Sequence, residues 1–471
     1  MKIITEEQWL ALDLYDVMHL FMKNLKQDEN KPFIYFDMEL DGNFLTQTFK
    51  IEFENEELNF GETTKINDYR DLIEQKRLVK RAVKKFLYSK LSEKFNIKHP
   101  WGCLTGIRPT KVAYDLLDSG VDKYFLKEEL QKEYFIAPEK AKLLDKIIKH
   151  QNCIIKNDNL IDLYINIPFC PTKCSYCSFI SSEYARVEKI IPDYINALIK
   201  EIKATKDIIK ERNLIVKSIY IGGGTPSVLN ASDLDLILSE LNFGVTEFTV
   251  ECGRPDTITT EKLDVLKKHG VTRISINPQT FVDSTLKRIG RKHTSKDVIE
   301  SYKLALPYNF SINMDIIAGL PGETLRGFKK TIQTVLDLYP DNITVHTLAI
   351  KRGSDLYDAE LDVKKDETEK MVTYAHNELM KKDFKPYYIY KLKNQTDGQE
   401  NVGFFMDKLC VFNIDSMEEV SSIIACGANA ISKRLFSLEN RIERQANVKF
   451  AKDYIERIDE MIERKRELFL N

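Results

Sequence analysis

Three cysteines within eight residues, Cys170-Pro-Thr-Lys-Cys174-Ser-Tyr-Cys177, constrain this chain more than any other stretch. They follow the apolar run Leu163-Tyr-Ile-Asn-Ile-Pro-Phe169, which reads as a buried strand entering a tight loop. Three residues separate the first pair and two the second. Thiolates are the soft ligands that iron–sulfur clusters need, and a [4Fe–4S] cluster ordinarily takes four cysteines. Three clustered cysteines leave one iron without a protein ligand, and an open iron can bind a substrate or cofactor. The same spacing also suits a zinc half-site or a redox pair with a bystander. Zinc usually wants a second ligand pair further on, whereas His293 and His346 stand isolated. The cluster is the preferred reading.

A chain of 471 residues leaves room for one large domain and one or two smaller ones. Its hydrophobic content of 43% supports a core, and 30% charged residues fit a soluble protein. A formal charge of only -2 gives no basic field and argues against a nucleic-acid partner. The start, Met1-Lys-Ile-Ile-Thr-Glu-Glu, leads into no signal-like apolar core, and no apolar run is long enough for a membrane span. A cytoplasmic protein is expected. Cys103, Cys153, Cys252, Cys410 and Cys426 are dispersed and do not read as a disulfide scaffold. A reducing compartment keeps thiolates available for iron.

Helical spacing over residues 7–26, strands between Phe33 and Phe60 with a turn at Asp41-Gly42-Asn43, and a long helix over 67–96 predict a small α/β accessory domain. The basic side of that long helix (Arg77, Lys80, Arg81, Lys84, Lys85) is read as a solvated face. With the helical, charged segment after it, this domain is placed at 1–150. The pattern then changes. Short apolar strands at Leu163–Pro168, Val216–Ile221, Glu247–Glu251, Arg273–Asn277, Ile312–Ile316 and Ile343–Leu348 alternate with amphipathic helices at 188–210, 231–241, 260–269, 296–305 and 324–337. Parallel βα units follow, and six of them predict an incomplete (β/α)6 TIM-like barrel over 151–355, its site at the strands' C-terminal ends. Strands near Tyr387–Tyr390 and Gly403–Phe405, and a charged helix over Arg441–Leu470, predict an α+β extension over 356–471 that covers the substrate.

Candidate site residues fall at the strand ends. Gly222, Gly223 and Gly224 let backbone approach a neighbour with no Cβ in the way. Thr225 adds a hydroxyl, and Pro226 stiffens the exit. Glu251 and Asp315 can accept hydrogen bonds from a diol or a cation. Arg291 is a fork-shaped donor suited to a carboxylate. Gln279 ends the fourth strand after Asn277-Pro278, and Tyr164 and Tyr176 flank the thiol loop. Upstream, Arg108 and Lys111 open a helix behind Pro109 or Thr110, where free N–H groups favour an anion.

Taken together, the cysteine spacing, the Gly222–Pro226 turn and the segment Asn313-Met-Asp315-Ile-Ile-Ala-Gly319-Leu-Pro-Gly322-Glu-Thr324 resemble the radical S-adenosylmethionine (radical SAM) superfamily. More narrowly, the chain resembles the oxygen-independent coproporphyrinogen III oxidases, and most closely their HemZ branch of coproporphyrinogen dehydrogenases. The phrase Gly106-Ile-Arg108-Pro-Thr-Lys111 is similar to one typical of that branch. The resemblance implies a [4Fe–4S] cluster on Cys170, Cys174 and Cys177, with SAM on the fourth iron. It further implies that Tyr176 packs on adenine, that the glycine turn holds the SAM amine, and that Glu251, Gln279, Arg291 and Asp315 are polar SAM or active-site residues. One electron, supplied by flavodoxin or ferredoxin, would cleave SAM to a deoxyadenosyl radical. The radical would take hydrogen from a propionate of a tetrapyrrole, and loss of CO2 and one electron from the substrate radical would leave a vinyl group. Propionates call for cations, and Arg108, Lys111, Arg254 and Arg352 are candidates.

The sequence departs from the oxidase pattern in three places. Phe179 stands where a further cysteine is usual, Asn166 where the strand carries histidine, and the first 150 residues replace a short extension. Phe179 resembles the related haem-chaperone branch, so a haem-binding protein is the first alternative. That branch's His-Asn-x-x-Tyr-Trp signature is absent; the nearest phrase is Glu400-Asn401-Val-Gly-Phe404. A radical SAM enzyme acting on RNA, and a zinc protein, are further alternatives.

Overall fold

A computed structural model describes residues 1–22, 32–53, 55–151, 154–155, 157–179, 181–350, 353–356, 365–392, 398–439 and 441–470. The chain divides into two compact units, Met1–Asp145 and Lys146–Asn471.

In the first unit, strands Phe33–Asp41, Phe44–Glu52 and Glu57–Lys65 form an antiparallel meander, with Lys2–Ile4 added in parallel at one edge. The first hairpin turns at Gly42, whose φ of +54° is one a two-residue loop needs and glycine adopts freely. One face of the sheet alternates Ile34, Phe36, Leu45, Phe49 and Ile51 into the core. Against it pack Leu14, Val17 and Met18 of helix Ala11–Met22 and Val79, Val83, Phe86 and Leu87 of helix Leu72–Phe95. Asp71 caps the long helix by accepting from the Glu74 N–H, and Asn96 ends it in the left-handed region. Its basic side is not simply solvated. Lys80 and Lys84 pair with Asp13, and Arg81 and Lys85 with Glu133, so the cations tie neighbouring helices to it.

The second unit is built on one eleven-stranded sheet. Six parallel strands stand in chain order: Leu160–Ile167, Ile215–Gly223, Glu247–Glu251, Arg273–Ser275, Ser311–Ala318 and Asn342–Thr347. The intervening helices Ile191–Glu211, Ala231–Ser239, Thr260–Lys268, Ser295–Ala305 and Leu325–Leu338 bury apolar stripes such as Phe328, Ile332 and Val335. These are the βα units that the periodicity predicts. As expected, Thr324 caps the last helix, its hydroxyl accepting from the Gly327 N–H at 3.2 Å. Beyond the sixth strand, Asn401–Phe405 and Lys385–Tyr390 continue the sheet antiparallel.

Two features differ from the sequence expectation. Ser422–Cys426 runs parallel beside the first strand, so the strand leading to the thiol loop is interior to the sheet rather than an edge of six. Arg441–Ala446, expected to begin a helix, is a strand antiparallel to Ile431–Phe436. Its Arg, Glu and Gln residues favour helix locally, but the backbone pairing decides. The helix that follows, Ile458–Leu470, is pinned by a buried pair. Lys465 donates to Glu201 at 2.9 Å, and Glu201 also accepts from the Gly427 N–H and the Tyr454 hydroxyl.

Candidate active site

Behind the C-terminal ends of the parallel strands lies a cavity of about 380 Å3, lined wholly from the second unit. Cys170, Cys174 and Cys177 all reach it as free thiols. Several backbone contacts fix their loop. The Cys177 N–H donates to the Cys174 carbonyl at 3.0 Å, closing a turn between the second and third thiols. The Ser175 N–H donates to the Ile289 carbonyl at 3.1 Å, docking the loop on the segment that follows the fourth strand. The Thr225 hydroxyl faces the Cys170 sulfur at 3.6 Å. Burial pushes the Cys177 thiol up to about 11, and a bound cation reverses such a shift because metals coordinate the thiolate.

Among the described residues no three His, Cys, Asp or Glu side chains are gathered into a site for a metal ion. Three free cysteine thiols opening on one cavity are the soft donor type that an iron–sulfur cluster takes.

The glycine turn works by close approach. A Cβ on Gly224 would lie 2.4 Å from the Phe169 carbonyl oxygen, so the missing side chain lets the second strand press against the residue before Cys170. The Gly224 N–H donates to Ile167 at 2.8 Å and the Thr225 N–H to Phe169 at 2.7 Å. Gly223, at φ +108°, and Gly224 present backbone to the cavity. Gly222 does not line it but leaves room for Tyr220 and Glu251, 3.0 and 3.1 Å from where its Cβ would stand.

The polar wall is made by strand alternation. Glu251 accepts from the Tyr220 hydroxyl at 2.6 Å, and burial raises its carboxyl to about 7. Asp315 is half-buried, yet the neighbouring His346, at 3.6 Å, and the amide of Asn313, at 2.8 Å, hold it below the usual carboxylate range. A second amide, Asn277, donates to Asp315 at 2.8 Å. One carboxyl is thus easily protonated and the other firmly anionic. Gln279 is held at φ +64°, which disfavours any side chain, and its amide oxygen is buried without a protein partner. Strain and an orphaned acceptor in one cavity-lining residue leave Gln279 able to accept a hydrogen bond from a ligand. Arg291 donates to the Gly253 and Asn277 carbonyls and to the Tyr176 hydroxyl at 3.1, 2.8 and 3.1 Å. Its Nε is buried with no partner. Tyr176 lines the cavity and packs against the apolar cluster that includes Leu286, Ile289 and Leu348.

Other sequence candidates are placed differently. Tyr164 does not line the cavity; its ring lies beside the stacked pair Tyr220 and Phe412, at 6.2 and 6.0 Å, with its hydroxyl donating to Asn166. Arg254 reaches the cavity, but its fork is engaged by Asp256 and Thr172. Arg108 and Lys111 belong to the first unit, where Arg108 directly precedes helix Pro109–Asp118. Arg352 lies outside the described residues.

The wall also holds residues that sequence reasoning passed over. His346 contacts Asp315 and, at 3.2 Å, the Tyr390 hydroxyl. Ser275 keeps its hydroxyl buried without a partner. The signal was in the strands themselves: Ser275-Ile-Asn277, Asn313-Met-Asp315 and Thr344-Val-His346 alternate polar with apolar where a fully buried strand would be apolar throughout. On the far side stand Tyr388 and Tyr390, which sequence reasoning did place in a strand of the covering extension, their rings 8° from parallel.

A family model for the radical SAM superfamily matches residues 164–335. The chain is 37% identical over 402 residues to the oxygen-independent coproporphyrinogen-III oxidase-like protein HemZ of Bacillus subtilis, covering 82% of this chain and 80% of that protein. It is also 37% identical, over 201 residues, to the heme chaperone HemW of the same organism, covering 41% of this chain and 52% of the chaperone. Among solved structures, the coproporphyrinogen III oxidase HemN from Escherichia coli, a radical SAM enzyme, superposes with a TM-score of 0.52 at 22% identity, covering 66% of this chain and 72% of that one. At that identity the likeness concerns the fold.

Proposed function

We propose that this chain, which belongs to the radical SAM superfamily and within it to the HemZ- and HemN-like coproporphyrinogen III oxidase family, oxidatively decarboxylates coproporphyrinogen III to protoporphyrinogen IX without oxygen. The observation that carries the reading is a single cavity joining three free thiols to a strained, unsatisfied Gln279, an arginine with a spare buried donor and two carboxyls of opposite protonation tendency. Cys170, Cys174 and Cys177 would hold a [4Fe–4S] cluster. When bound, that cluster and SAM supply the one-electron reduction and hydrogen-atom abstraction that side chains cannot perform.

The protein's own residues bind and orient. Backbone groups of Gly223 and Gly224 and the Thr225 hydroxyl face the methionyl end. Arg291 offers Nε to its carboxylate, while Glu251, Gln279 and Asp315 accept from its amine and ribose. Tyr176 covers the adenine and keeps water from the cluster. Tyr388 and Tyr390 form a flat wall for a tetrapyrrole. A low-potential donor such as flavodoxin or ferredoxin provides the electron. Residues 151–355 supply the catalytic barrel and 356–471 the wall that covers substrate, while 1–150 is an accessory domain.

No helix among the described residues is long and apolar enough to cross a membrane. The proposed setting is the cytoplasm, with a small-molecule substrate rather than RNA, in keeping with the net charge of -2.

The test is an anaerobic assay of reconstituted protein with SAM, dithionite and coproporphyrinogen III, reading deoxyadenosine and porphyrin products together. Vinyl product with stoichiometric CO2 supports the reading; deoxyadenosine without porphyrin change refutes the substrate. The exposed Phe179 beside Cys177 favours haem binding as the second reading, and retained haem without turnover in the same assay would select it.

A further inference from the structure

Arg254 stands out because it is nearly sealed from solvent, 2% exposed, yet does not face a ligand with its whole fork. Its Nε and Nη2 donate to the two oxygens of Asp256, both at 3.1 Å, a bidentate pair. The remaining Nη1 donates to the hydroxyl and carbonyl of Thr172, at 3.0 and 3.3 Å. Thr172 lies between Cys170 and Cys174, and its own hydroxyl donates to the Gly290 carbonyl at 3.3 Å. His293, buried, stands behind Asp256 at 3.6 Å. The charges are therefore ordered. The guanidinium edge meets the thiol loop and the cavity, and the balancing carboxylate sits on the far side, outside the cavity lining.

We infer that Arg254 is a positioning residue for the cluster-binding loop, and that its charge, backed by Asp256, makes the cluster easier to reduce. The inference rests on the reading of the three cysteines as cluster ligands. A reduced cluster carries one more negative charge than an oxidised one, so a buried cation beside its ligand loop favours the reduced state. The electron comes from dithionite or a protein donor and remains on the cluster. The fork adds a second effect. By gripping both the side chain and the backbone of Thr172 it fixes the first two thiols relative to one another, which a flexible ammonium cannot do as well.

The experiment measures the midpoint potential and the reduced-state EPR spectrum of the reconstituted full-length protein without SAM, for wild type, Arg254→Gln, Arg254→Lys and Asp256→Asn. Arg254→Gln is expected to lower the equilibrium constant for reduction about tenfold, or 59 mV for one electron. Arg254→Lys keeps the charge and should restore most of the potential while broadening the EPR signal. Asp256→Asn should shift the potential the opposite way, because the cation then stands uncompensated. If Arg254→Gln cannot be loaded with iron, the positive shift in Asp256→Asn decides alone. Unchanged potentials in fully loaded variants, or shifts of the same sign in Arg254→Gln and Asp256→Asn, overturn the inference while leaving the cluster reading intact. A wild type that takes up no iron overturns both.

Discussion

Replacing Gly224 by alanine tests whether the glycine turn exists to bring the second strand against the thiol loop. The added Cβ would stand 2.4, 2.8 and 2.9 Å from the oxygen, nitrogen and carbon of Phe169, all backbone atoms. No side-chain rotation relieves such a contact, so the segment entering Cys170 must retreat by more than half an ångström. Overpacking of this kind costs about 1–3 kcal/mol. Each kcal/mol corresponds to about 2–4 °C in Tm for domains of some 150–250 residues, and the loss should lie at or below the product of these ranges in the larger second unit. The functional effect should exceed the stability effect, since displacing a reacting group by about 1 Å can cost about 100-fold in rate. The assay is iron per chain after anaerobic reconstitution, followed by deoxyadenosine formation, beside a thermal melt. Gly106→Ala, where nothing lies within 4 Å of the new atom, is the control and should match wild type. A Gly224→Ala protein with full iron, full turnover and an unchanged melt would refute the steric argument.

Three further outcomes are expected. Glu251, raised to about 7 by burial, stabilises the fold fully below its unfolded pKa of about 4.3 and loses that contribution as pH rises through 7. Glu251→Gln should therefore flatten the decline of apo-protein stability between pH 5 and 8 by up to about 3 kcal/mol, read by urea denaturation at each pH; parallel curves would contradict it. Gln279→Gly removes backbone strain worth about 1–3 kcal/mol together with the orphaned amide, so its melting temperature should not fall while SAM affinity drops about tenfold, measured by equilibrium binding to reconstituted protein. Lys465→Met strands Glu201 as a buried, partly uncompensated charge and should cost about 3–5 kcal/mol in denaturant titrations; a loss below about 1 kcal/mol would show the pair to be dispensable.

The barrel was legible because its signals are local. Each βα unit carries its own apolar strand and amphipathic helix, and the thiol loop and glycine turn are short contiguous phrases. What stayed hidden depends on distant pairing. Arg441–Ala446 reads as helix until Ile431–Phe436 lies beside it. Arg254 reads as a free cation until Asp256 and Thr172 close on its fork. His346 reads as isolated because Asp315 and Tyr390 are brought to it only by sheet register and the returning strand. Gln279 was found from its place at a strand end, but its positive φ and unpartnered oxygen have no local signature.

The strand Ser422–Cys426 bears on how this molecule is made. It lies beside Leu160–Ile167, and the hydrogen bond from Ser421 to Leu160 joins residues 261 positions apart. During synthesis, the strand that delivers the thiols leaves the ribosome long before its neighbour exists, so one of its sides waits unpaired. Contacts this remote in sequence form slowly and late. Iron insertion is therefore expected to follow release of the finished chain, and nascent chains stopped short of residue 422 should not retain a cluster.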